Sequence, residues 1–337
     1  MAVYMLGIVV VSIIIGLIYE KNAFCGYVCP VGYNLGLYSR FSPIGWRVGS
    51  KKVCDSCKDK SCIHKIYLYN QNYKSCGVGL YPATVEDNSI CIMCGGCRKS
   101  CGTYITGDGE GRPNPGFRYT GFDEMFSLKP LNTAQMFFVF ILSGFIISQI
   151  WTEWNVTTSI LNQVSGTILS PMQLAGTGFG NLLHGVIIFA AIPLIIWFLP
   201  FITGRLAGAS IKLKEYFLNY GIVFIPIVAA GHLSKSLIKS ILRIPYFEHL
   251  FGDLAGVRTA QGIIVGEISL GQIPVWLNLS LSIIITAVIV AGIWISFRLV
   301  RLMNQKMGLA GSGIAMYLIP VIYGSIFFFM IVIWRWF

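Results

Sequence analysis

All ten cysteines of this chain fall between residues 25 and 101, in one polar stretch flanked by runs long and apolar enough to cross a lipid bilayer. That partition restricts the fold more than any other feature. Charged residues make up 12% of the 337, against about 25% in an ordinary soluble domain. Mean hydropathy is +0.69. A purely soluble enzyme and a nucleic-acid binder are excluded. The net charge of +11 finds its counterpart in the anionic inner leaflet of a membrane.

Residues 2–19 form an uncharged apolar run without the basic leader region or small-residue cleavage site of a signal peptide. It is expected to be a first, uncleaved helix with its N-terminus outside. Further spans are expected at 134–151, 182–201, 216–233, 275–299 and 314–334, six in all, on the criterion of about 20 residues per span. Residues 154–204 hold no charge, but 155–181 are dense in Asn, Thr, Ser, Gln and Gly. That segment reads as interfacial or re-entrant. With the N-terminus outside, 20 of the 25 Lys and Arg fall on the inner side. The rule that basic loops stay inside then puts the cysteine-rich stretch in the cytoplasm and the chain in the cytoplasmic membrane. The expected fold is a mainly α, six-helix membrane bundle with an inserted two-cluster ferredoxin domain of the bacterial α+β type. Its parts are a first helix at 1–20, a cysteine-rich domain at 21–133, and a bundle of about five helices at 134–337.

A reducing compartment argues against structural disulfides, so the cysteines ask for metal. Cys91, Cys94, Cys97 and Cys101 read C-x2-C-x2-C-x3-C, the spacing of a bacterial-type [4Fe–4S] site. Three thiolates on a tight loop each cap one iron, and the fourth reaches the other cluster of a two-cluster ferredoxin. Upstream, Cys54, Cys57, Cys62 and Cys76 form a stretched version of the same run. If the wiring is crossed, one cluster takes Cys54, Cys57, Cys62 and Cys101, and the other takes Cys76, Cys91, Cys94 and Cys97. Zinc is the alternative, and the stretched set is open to it more than the compact one. Lys58, Lys60, Lys74, Arg98 and Lys99 lie beside these ligands. They read both as charges that ease cluster reduction and as an ordinary solvated surface. Cys25 and Cys29 remain, in Cys25-Gly-Tyr-Val-Cys29-Pro30. At i, i+4 they would share a helix face. A thiol redox pair, a metal site, partial ligation of a further cluster and two packed cysteines at a helix end are all open.

The segment Cys25-Gly-Tyr-Val-Cys29-Pro30-Val-Gly32, followed by Leu35-Gly-Leu-Tyr-Ser-Arg40, resembles the CxxxCP segment of membrane-bound polyferredoxins of the NapH, NosR and CcoG types. Cys91-Ile-Met-Cys94-Gly-Gly-Cys97-Arg-Lys-Ser-Cys101 is similar to their ferredoxin run. The resemblance covers residues 20–120. It implies two cytoplasmic [4Fe–4S] clusters and electron traffic between the membrane and a redox partner. In two places the chain departs from the pattern. Cys76 and Cys101 are followed by Gly where the family has Pro, and only one CxxxCP is present.

In the membrane half, ionisable residues are functional candidates. His184 and His232 are expected at the start of one span and the end of another, at one depth. Two facing imidazoles there would ligate a haem b iron or border a quinone pocket, with Lys235 and Lys239 toward haem propionates. The plain alternative is two histidines bonded to neighbouring helices. The leading expectation is an electron-transfer subunit of a quinol-dehydrogenase type. Its cofactors would be two [4Fe–4S] clusters, a quinone and a candidate haem b. Its partners would be a redox protein or membrane oxidoreductase complex, lipid and quinone, and no nucleic acid. A membrane thiol or metal-ion reductase acting through Cys25 and Cys29 competes with this. So does a non-catalytic redox sensor or assembly factor.

Overall fold

The structure is a computed structural model. It describes residues 2–19, 23–24, 28–64, 66, 75–101, 113–151, 158–159, 163, 167, 177–309 and 311–336. The chain divides into two compact units, Met1–Ser127 and Leu128–Phe337. The division falls a few residues before the expected 133/134, for a local reason. The Leu131 amide donates to the Leu218 carbonyl at 2.9 Å, and Lys306 Nζ donates to the Leu128 carbonyl at 2.6 Å. These bonds tie 128–132 to the second unit. The first apolar helix belongs to the first unit rather than forming a part by itself.

In the first unit α1 spans Ala2–Ile18. Leu6, Ile13 and Leu17 are among its exposed apolar side chains, Leu17 at 82%. A helix so uncovered needs an apolar surrounding. Pro30 opens α2, Pro30–Ser39, where its missing N–H and preset φ suit a helix's first turn. Strand β1 (Ile44–Val48) pairs antiparallel with β2 (Pro115–Tyr119), in the register Trp46↔Phe117. The two rings meet edge-on at 5.9 Å. Between the strands lie α3, Lys51–Ser56, and α4, Gly96–Lys99. Helix α5, Gly121–Met125, follows β2. Arg47 fastens it to β1 through an ion pair with Glu124 at 2.5 Å.

The second unit is helical. Helix α6 is Thr133–Trp151. Helix α7, Gly178–Val186, continues through a π-helical stretch at Ile187–Ala191 into α8, Ile192–Leu206. Then come α9 (Leu213–Ile241), α10 (Val257–Val265), α11 (Val275–Lys306) and α12 (Leu318–Phe327). A second π-helical stretch, Phe328–Ile333, extends the last of these. Among the described residues four helical stretches are long and apolar enough to cross a membrane: Thr133–Trp151, Leu213–Leu250, Val275–Lys306 and Gly311–Val332. The expected spans at 2–19 and 182–201 contain apolar helices that fall short of that length, Leu6–Ile18 and Pro193–Leu206. Most of 155–181 lies outside the described residues.

Helix α9 is the hub, packed against α6, α11 and α12. Its middle, 220–231, is apolar nearly all round, and Tyr216, Tyr220, Val223, Phe224, Ile227 and Val228 are wholly buried. A helix buried on every side needs no polar face. Small residues set the close approaches, as in membrane bundles. A Cβ on Gly292 of α11 would come within 2.8 Å of the Pro226 carbonyl, and one on Gly231 within 2.8 Å of the Phe327 ring. Pro226 interrupts the hydrogen-bond ladder of α9. Beside that break, Ser296 Oγ of α11 donates to the Val223 carbonyl at 2.7 Å. Trp197 stacks on Phe224 at 4.0 Å between ring centroids, and its carbonyl accepts from the Tyr216 hydroxyl at 2.8 Å.

Candidate iron–sulfur sites

Cys54 on α3, Cys57 just after it, Cys62 in the following turn and Cys101 just after α4 line one cavity of about 510 Å³. The sequence separates Cys101 from the other three by almost forty residues. Several bonds hold it there. Ser61 Oγ donates to the Ser100 carbonyl at 2.5 Å, and Ser100 Oγ to the Gly96 carbonyl at 2.8 Å, both buried. Asn114 borders the same cavity. Its Nδ2 lies 3.0 Å from Cys54 Sγ and 2.8 Å from the Ser50 carbonyl, while its Oδ1 accepts from the Ser50 amide at 2.9 Å. The Tyr81 hydroxyl donates to the Cys54 carbonyl at 2.6 Å.

Cys76, Cys91, Cys94 and Cys97 form the second group. The Cys76 amide donates to the Cys62 carbonyl at 2.8 Å, which joins the two ligand loops, and the Leu80 amide points at Cys76 Sγ at 3.3 Å. The Cys91–Cys97 loop is shaped by two residues in the left-handed region, Met93 (φ 52°) and Gly95 (φ 69°). Trp46 of β1 braces it. The indole Nε1 donates to the Met93 carbonyl at 3.2 Å, and its ring lies 3.2 Å from where a Gly95 Cβ would sit. At that position glycine is required on both counts.

The electrostatics separate the same two groups. Burial pushes the Cys62 thiol up to about 12, and the next contributions come from Cys101, Cys54 and Cys57. Burial likewise pushes Cys97 up to about 12, followed by Cys76, Cys91 and Cys94, with Cys62 a lesser influence. Cys54 is raised by burial and opposed by the Asn114 bond. Cys91 is raised by burial, while a bond from the Met93 amide and the charge of Arg47 pull it down. Four thiolates cannot share either site alone. Iron would supply the compensating charge and displace the protons.

Among the described residues no three His, Cys, Asp or Glu side chains converge closely enough to hold a single metal ion.

Cys29 is half-buried, unpaired by any disulfide, and has extended backbone as the N-cap of α2. Cys25 lies outside the described residues, as does Lys74. Helix α2 docks on the loop that leads into Cys91. Gly36 abuts the Ser89 carbonyl, Ser39 Oγ donates to the Asn88 carbonyl at 2.8 Å, and Asn88 Nδ2 donates to the Ile44 carbonyl at 2.8 Å. Arg40, 7% exposed, feels the charge of Asp87. The CxxxCP helix is thus a platform for the second group.

Residues 1–50 match the family model of a 4Fe–4S binding domain. The chain therefore carries an iron–sulfur signature of the ferredoxin-like kind. The match contains Cys25 and Cys29 and ends before Cys54, so it rests on α1, α2 and β1 rather than on the two four-cysteine groups. No curated protein and no solved structure matches the chain.

The membrane candidates are placed differently from one another. His232 does not end its helix, as expected, but stands more than two turns before the end of α9 at Ile241. His184 lies within α7, which begins at Gly178 and packs mainly on the π-helical stretch that follows it. The principal neighbours of α9 are other helices. Lys235, 9% exposed, donates to the Gln149 carbonyl at 2.7 Å and to Gln149 Oε1 at 2.6 Å. That carbonyl belongs to the last turn of α6, where a cation meets the negative end of the helix dipole. Lys235 thereby joins two helices. Sequence reasoning missed Asn114, Trp46 and the Leu80 amide. Asn114 lies in Pro113-Asn114-Pro115-Gly116, which signals only a turn.

Proposed function

We propose that this chain is a membrane-anchored electron-transfer protein that holds two [4Fe–4S] clusters and passes electrons between a membrane quinone and a redox partner. The observation that carries the reading is the gathering of eight cysteines into two groups of four, each completed by a cysteine distant in sequence. The donor set suits the group: each site offers four thiols and an N–H group directed at sulfur, and the first encloses a cavity. Cys54, Cys57, Cys62 and Cys101 would hold one cluster, and Cys76, Cys91, Cys94 and Cys97 the other. When bound, such clusters accept and release single electrons. The chain's own residues then set the conditions. Asn114 Nδ2 and the Leu80 amide direct hydrogen bonds at ligand sulfurs, which favours the reduced state. Trp46 and α2 brace the loop that carries Cys91, Cys94 and Cys97.

The apolar helices support a membrane location, with six spans if α1 and α7–α8 also cross, and the excess of Lys and Arg in the cysteine-rich stretch is the argument for the cytoplasmic membrane and its cytoplasmic face. A quinone near His184 or His232, with or without haem b, is the proposed membrane-side reactant. The test is an anaerobic iron, sulfide and haem assay with EPR on the purified protein. About eight irons and eight sulfides per chain are expected from two cubes. Zinc in place of half the iron would overturn the two-cluster reading. A Soret band lost in His184 or His232 variants would establish the haem. If Cys25 and Cys29 variants keep clusters and quinol oxidation yet lose thiol or metal-ion reduction, the reductase reading replaces this one. Absence of steady electron turnover between quinol and an acceptor would favour a sensor or assembly role.

A further inference from the structure

The surroundings of the two cysteine groups differ in charge. The first group opens onto a collar of lysines. Lys58 and Lys60 line its cavity together with Asp59. Lys51 and Lys52, in the first turn of α3, are exposed, as are Arg98 and Lys99 in the last turn of α4 just before Cys101. Against these six cations, of which Arg98 and Lys99 also follow Cys97 of the second group, stand two exposed carboxylates, Asp55 and Asp59. Lys60 is no loose side chain. Its backbone takes a left-handed φ of 44°, and its ammonium lies 5.4 Å from the centroid of the Tyr81 ring, within reach of a cation–π contact. Tyr81 in turn is bonded to the Cys54 carbonyl. The charge is therefore held at the rim of the site. Around the second group Arg47 is neutralised by Glu124, and α2 packs on the loop before Cys91, while Cys94 itself is exposed.

We infer that the lysine collar of the first cysteine group is a docking surface for an acidic electron-carrier protein, so that the first group is the port to the soluble partner. This inference rests on the iron–sulfur reading above. A positive rim around a recessed redox site raises the local concentration of an anionic partner and speeds encounter by about 10- to 1,000-fold, with strong dependence on salt. It does so without a large buried interface, which suits carriers that must leave after each transfer.

The test uses the full chain in nanodiscs of zwitterionic lipid, with an oxidised, acidic plant-type [2Fe–2S] ferredoxin as the probe. Association rates are measured at low and high salt for the wild type, for Lys58→Glu/Lys60→Glu and for Lys51→Glu/Lys52→Glu. The last pair places acidic residues in the first turn of a helix, which is compatible with folding. Iron and sulfide contents are measured in parallel. The expected result is a fall of about tenfold or more in association rate for each double variant at low salt, vanishing near 1 M salt, with iron and sulfide unchanged in Lys51→Glu/Lys52→Glu, whose side chains lie outside the cavity lining. Unchanged association at low salt overturns the inference while leaving the iron–sulfur reading intact. So does a variant that keeps ferredoxin association but loses binding to phosphatidylglycerol vesicles, which would make the collar a lipid-headgroup contact. A wild-type protein without iron and sulfide would overturn the iron–sulfur reading and the inference with it.

Discussion

The two units of this chain are held together in different ways. In the cysteine unit the helices that carry ligands are six residues or fewer, and the geometry depends on individual hydrogen bonds: Asn114 to Ser50, Ser61 to Ser100, Trp46 to Met93. In the helical unit α9 runs 29 residues and is buried among its neighbours by dozens of small apolar contacts. The first arrangement places eight sulfurs but has little redundancy. The second tolerates the loss of any one polar contact and responds mainly to changes of volume. Disturbance should therefore stay within the unit where it is made.

The largest expected effect comes from Cys101→Ser. Iron content should fall by about half as one four-iron site is lost, with the EPR signal of the second group retained. Loss of the second group's signal instead would show that Cys101 serves the other site. Next is Trp197→Ala, which leaves a large void against Phe140, Phe217 and Phe224. A cost of about 3–5 kcal/mol is expected, read as a lower Tm of the helical unit in detergent. Iron and sulfide should not change, and a parallel loss of iron would break the idea that the units are separately maintained.

A smaller effect is expected from Asn114→Ala. It removes the N–H directed at Cys54 and leaves the Ser50 amide without its partner, a cost of about 1–3 kcal/mol. The reduction potential of the first group should fall while that of the second stays put, in a redox titration followed by EPR. The smallest concerns Asp253, in the connection between α9 and α11. Its carboxylate accepts from the Thr259 amide at 2.8 Å and from the Gly256 amide at 3.1 Å, and these bonds hold its pKa below the usual range. A depressed folded pKa contributes stability above the unfolded value of about 3.9. That contribution is lost as pH falls through the folded value. Asp253→Asn should therefore melt slightly lower than the wild type at neutral pH. The two should converge as acid protonates the carboxylate, and a gap that persists after that would assign the effect to packing.

Much of the helical unit was legible from hydropathy because a span must be about 20 residues of apolar side chain whatever its neighbours are. Helix ends were less legible. The polar residues His232, Ser234 and Lys235 suggested an end near 233, yet α9 continues to Ile241. Ser234 and Lys235 are buried against other helices, and Lys235 finds its acceptors on Gln149. A window of one sequence cannot see an acceptor 86 residues away.

The cysteine spacings by themselves pointed to a stretch organised around metal, since thiolate ligands must follow one another on a short loop to reach one inorganic core. The run of apolar segments likewise determined that the rest of the chain requires a membrane-like surrounding. Only the tertiary structure decided what stands next to each sulfur. Asn114 came to Cys54, Trp46 to the Met93–Gly95 turn, α2 to the loop before Cys91, and Lys60 to the Tyr81 ring. Those placements depend on contacts between residues far apart in the chain. Such contacts form because backbone and side-chain donors must find acceptors once water is excluded, a condition set by the whole fold and by no local pattern.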